Sequence, residues 1–87
     1  MEQEDSSLQS QNPISSAQNS VDNVHNAVSQ AQSHPKDTTI EGAQNAIKQA
    51  ERAIEQARDM DNQTAVDQAA DELSQEKSEL QNVMNEQ

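Results

Sequence analysis

Four groups of residues in this chain carry side chains that could do chemistry. Asp59-x-Asp61-x-Gln63 opens like a calcium loop, with oxygen donors on alternate residues. Such a loop turns sharply at its sixth position and closes with a bidentate carboxylate at its twelfth. Here those positions hold Thr64 and Ala70, so the expected reading is an acidic helix start that complements the helix dipole. Asp22-x-x-His25 places a carboxylate and an imidazole on one helical face. Di-iron bundles use two Glu-x-x-His pairs and two more glutamates, all directed inward. A single copy beside the apolar row predicts a solvated pair. His34 stands before Pro35, where it complements a helix C-terminus. Asp71, Glu72, Glu76 and Glu79 offer carboxylates at helical spacing. Acid–base work would need a pocket that shifts one of their pKa values, so they read as a solvated acidic face.

What is absent narrows the chemistry further. The sequence of 87 residues has no Cys, Phe, Tyr or Trp and a single Gly. Thiol nucleophiles, thiolate zinc sites, aromatic base-stacking platforms and glycine-rich phosphate loops are excluded. Asn62-Gln63-Thr64 fits a glycosylation sequon, but no apolar secretion signal accompanies it. No catalytic, metal or cofactor residue is assigned, and the expectation is a protein that is not an enzyme.

Sixteen Asp and Glu face five Lys and Arg, for a net charge of -11. That sign is wrong for gripping nucleic acid or anionic lipid, and no apolar run is long enough to span a bilayer. Ile, Leu and Val number only twelve of 87, and the mean hydropathy is -1.13. Such a composition borders on that of disordered chains. Arrangement must decide whether a core forms.

The arrangement is helical. Ile14, Ala17, Val21, Val24, Val28 and Ala31 are separated by alternating steps of three and four. Ile40, Ala43, Ile47, Ala50, Ile54 and Ala57 repeat those steps. Val66, Ala69, Leu73, Glu76, Leu80 and Val83 repeat them again, with one acid in the row. Steps of three and four line up one face of a helix, as in a coiled coil. The three rows are offset by a constant 26 residues, and blocks 12–37 and 38–63 share seven identical positions. Three capped helices of equal length would align in the same way, and blocks 38–63 and 64–87 share only three identical positions, so the third match is carried by residue class.

The predicted ends follow from local chemistry. Asn12, Thr38 and Thr64 are placed as N-caps, and Thr38-x-x-Glu41 reads as a capping box. Pro13 suits a first helical position, and Pro35 ends the first helix. Residues 59–63 separate the second and third helices without Gly or Pro, so one long helix over 38–85 is the competing reading. Residues 1–11 read as a disordered acidic tail.

The expected fold is all-α: an antiparallel up-down-up three-helix bundle with helices over about 13–32, 39–58 and 65–85. Its expected core comprises Ile14, Val21, Val28, Ile40, Ile47, Ile54, Val66, Leu73 and Leu80. Ala46 and Ala53 widen the stripe of the second helix, as suits a helix touching two neighbours. The first helix, rich in Ser and Asn, is expected to fray first. Glu76 is expected either to reach for the rim or to let the Ala70, Lys77 and Met84 side turn inward. The expected function is a non-catalytic protein-interaction module, cytoplasmic, monomeric or homodimeric. It would meet a basic partner through Asp71, Glu72 and Glu79 or exchange its first helix for a partner's. A hydrophilic, largely disordered stress- or spore-type filler and an acidic DNA mimic that binds a basic protein are the alternatives.

Overall fold

The computed structural model describes residues 13–59 and 63–86. They form α1 (Pro13–Ser33), α2 (Asp37–Ala57) and α3 (Gln63–Glu86), with no strand among the described residues. The expected tail over 1–11 and the Asn12 cap lie outside the described residues, as do Asp61 and Asn62.

Pro13 occupies the first position of α1, where a missing N–H leaves no bond unmade. Pro35 ends the helix: the residue before a proline is pushed out of the helical region. The His34 N–H donates the last bond of α1, 2.8 Å to the Gln30 carbonyl.

The start of α2 corrects the sequence reading. Its N-cap is Lys36, in extended backbone (φ -124°, ψ 161°), and Thr38 lies inside the first turn. Thr39 carries the cap instead. Its hydroxyl accepts the Lys36 N–H at 3.1 Å and donates to the His34 carbonyl at 2.6 Å. The cause is Pro35, which fixes the end of α1 so closely that α2 begins before Thr38 is reached. Asp37 in the first turn complements the exposed N–H groups.

The second break is real despite lacking Gly and Pro, and the single helix over 38–85 does not form. The Arg58 N–H is shared between the Ile54 and Glu55 carbonyls, at 3.0 and 3.3 Å. Its carbonyl accepts the Gln63 side-chain amide at 2.8 Å. The first residue of α3 thus closes the connection to α2. Since α3 begins at Gln63, Thr64 is a helical residue and not the expected cap.

The helices run up, down and up. His25 of α1 meets Glu76 of α3, and Gln32 meets Glu79, so α1 and α3 are parallel. Gln44 of α2 meets Met84, and Glu51 meets Lys77, so α2 opposes α3. The three helices share one core. It contains Ala17, Val21, Val24, Val28 and Ala31 from α1, and Ile40, Ala43, Ile47, Ala50, Ile54 and Ala57 from α2. From α3 come Val66, Ala69, Leu73, Leu80 and Val83. Ile14, in the first turn of α1, is only half-buried against the core. Ala27, Ala46 and Ala53 are half-buried against the core; α1 and α2 pack most closely of the three pairs, and α2 and α3 least. Val24, Val28 and Val66 are the largest fully buried side chains. With no aromatic ring available, small side chains let the axes come close.

Candidate functional site

Charge is distributed unevenly around this bundle. α1 contains no Lys or Arg. The one base in α3, Lys77, sits on the side facing α2, with its ammonium 2.9 Å from Glu51 Oε2. The side of α3 turned toward α1 is acidic. Glu72, Glu79 and Glu86 follow at seven-residue steps, roughly 10.5 Å apart on one stripe, with Glu76 between them. All but Glu76 are exposed.

Of the three predicted partner residues, Glu72 and Glu79 share this stripe. Asp71 is exposed too, but it points about 100° away from Glu72 around the helix. The geometry therefore brings together two of the three and leaves Asp71 on the outer face.

Glu76 follows neither expectation in full: Ala70 and Met84 do turn half-buried against the core, but Lys77 stays exposed and Glu76 keeps its place in the row. Its side chain is 13% exposed, in the row where its neighbours are apolar. It does not reach for solvent, and Lys77 does not replace it. It pairs with His25 across the helix interface, Oε2 to Nδ1 at 2.7 Å. The other oxygen, Oε1, is buried with no hydrogen-bond partner. His25 is 63% exposed. The bond to Glu76 raises its pKa above the ordinary 6.5. The negative charge of Glu76 raises it further, as do Glu79 and Asp22, against partial desolvation. Asp22 is thus a distant contributor, not the partner that the Asp-x-x-His spacing suggested.

The sequence held one signal for this pair. His25, Glu51 and Lys77 are equivalent positions in the 26-residue register. Parallel packing of the first and third blocks sets His25 beside residues 76 and 77.

Next to the acidic stripe, Gln32 donates to Glu79 Oε1 at 3.3 Å. A cleft of about 370 Å³ opens there between the ends of α1 and α3, lined by Gln32, Pro35, Glu79, Asn82, Val83 and Glu86. On the opposite side, the seam between α2 and α3 holds two clefts of about 400 Å³ each. Glu51 and Lys77 border both; Ile54 and Leu73 line one, Ile47 and Leu80 the other.

Among the described residues, no three His, Cys, Asp or Glu are placed to hold a metal ion. The stretch that opened like a calcium loop is helical from Gln63 onward, so its second half cannot wrap a cation. No described helix is long and apolar enough to cross a membrane. In comparison with known proteins, the chain matches no family model, no curated protein and no solved structure.

Proposed function

We propose that this chain is a non-catalytic interaction module that docks a basic protein surface along the α1–α3 face. The carrying observation is one-sidedness. Glu72, Glu79 and Glu86 stand exposed on one stripe, α1 beside them has no Lys or Arg, and Lys77 is held on the far side by Glu51. A stripe at seven-residue steps suits a partner helix that presents Lys or Arg at the same interval. Charge complementarity of this kind steers encounter and selects the partner more than it adds affinity. The reading includes a cytoplasmic setting, in which a cysteine-free sequence loses nothing by forgoing disulfides.

The test is an NMR titration of the labelled chain with a helical peptide carrying lysines at seven-residue spacing. Shift changes concentrated on Glu72, Glu79, Glu86 and the facing side of α1 are expected. The triple reversal Glu72→Lys, Glu79→Lys, Glu86→Lys should abolish them, and Asp71→Lys should leave them in place. Shifts spread evenly over α2, or indifferent to the triple reversal, overturn the reading.

A further inference from the structure

We propose that the His25–Glu76 pair is a proton-operated clasp that sets how tightly α1 is held against α3. It goes beyond the docking reading and does not depend on it.

The geometry makes Glu76 dependent on one partner. Its carboxylate lies in the apolar row of α3, where Leu73 and Leu80 flank it and both are buried. Oε1 has no hydrogen-bond partner, and Oε2 has His25 at 2.7 Å. A mostly buried carboxylate is costly unless it is paired and bonded. While His25 carries its proton, the pair satisfies that need. Once the proton leaves, the neutral ring can still donate its Nδ1–H to Oε2, but the positive charge that offsets the carboxylate is gone. No other ion pair joins α1 to its neighbours among the described residues.

The clasp sits where it can act. His25 lies near the middle of α1, between the buried Val24 and Val28. α1 is rich in Ser and Asn, which compete for backbone bonds and favour helix weakly. Its core side chains are Val and Ala alone. A helix with little intrinsic preference depends on its docking, so a change in one cross-helix contact is felt along it.

The surroundings hold the proton on the imidazole. The charged groups acting on it are Glu76 and Glu79 on α3 and Asp22 on α1, and all are acidic. The clasp is therefore closed in mildly acidic solution and relaxed in mildly alkaline solution. Relaxation lets α1 lift more often from the core that it shares with α2 and α3.

The test is amide hydrogen exchange on the full chain at about pH 5.5 and about pH 8, either side of the usual histidine range. Rates are corrected for their intrinsic pH dependence. A severalfold loss of protection in α1 relative to α2 is expected at the higher pH. It should vanish in both His25→Gln and Glu76→Gln. Equal protection at the two pH values overturns the proposal, and so does a loss that survives in His25→Gln. Should both variants fail to fold, the His25 ring is titrated by NMR in the wild-type chain, folded and in urea. A higher midpoint in the folded chain supports the clasp; an unchanged or lower midpoint overturns it.

Discussion

Glu51 and Lys77 are 26 residues apart, occupy the same place in successive blocks of the sequence, and meet across α2 and α3 at 2.9 Å. The pair bridges the loosest of the three helix interfaces. Both side chains are about half exposed, at 47% and 50%, which limits what the bridge contributes. A double-mutant cycle with Glu51→Ala and Lys77→Ala should give a coupling of about 0.5 kcal/mol, screened out at high salt. Urea denaturation at two ionic strengths measures it.

The cap of α2 separates the structure from the sequence reading in one experiment. Thr39→Ala removes the acceptor for the Lys36 N–H and the donor to the His34 carbonyl. It should cost about 1 kcal/mol. Thr38→Ala, at an exposed position in the same turn, should stay within about 0.5 kcal/mol of wild type. Reversing that order would mean that Thr38 is the cap after all.

Gly42 weakens α2 without a structural need. A Cβ there meets nothing within 4 Å, and Gly42 does not have a positive φ. Gly42→Ala should therefore stabilise the bundle by about 0.5–1 kcal/mol, seen as a rise in melting temperature.

Core truncations should scale with burial. Val24 is fully buried, and Val24→Ala should cost about 2 kcal/mol. Ile14 is half-buried in the first turn of α1, and Ile14→Ala should cost less than Val24→Ala although more atoms are deleted. Small domains have about 5 kcal/mol to lose, so the first change alone should lower the midpoint of unfolding visibly.

The His25–Glu76 pair gives stability a pH dependence of definite sign. His25 has a raised pKa in the fold, so its contribution is complete below the ordinary value of 6.5 and disappears as pH climbs through the raised one. Glu76→Leu restores an unbroken apolar row. It should remove the dependence in that window and exceed wild-type stability above it, by about 1 kcal/mol. Urea midpoints collected across the histidine range provide the check.

Much of this architecture was legible in residue spacing. Ile40, Ile47 and Ile54 with the alanines between them define α2 by period alone, and Pro13 and Pro35 bracket α1 by stereochemistry. Thr38 misled because cap preference is a local rule, whereas the start of α2 is set by the tight exit from α1 at Pro35. The break between α2 and α3 was expected at residues 59–63, but the contact that closes it, Gln63 to the Arg58 carbonyl, is one that no propensity encodes. For the site, the acidic character of α3 was readable, but which carboxylates share a stripe with α1 depends on how the helices rotate against each other. Glu76 illustrates the limit. Periodicity marked it as out of place, and only the parallel register of α1 and α3 supplied its partner.

That parallel register has a further effect. The carboxyl ends of α1 and α3 lie at one pole of the molecule, neither has a basic residue in its last turn, and Glu86 sits there too. Two negative macrodipole ends meet there, offset in part by the N-terminus of α2 and its cap residue Lys36. Among the described residues, the charge is uneven along the bundle as well as around its girth. In the field of a cationic surface the described helices should feel a torque before contact that turns this pole and the stripe running down from it toward that surface.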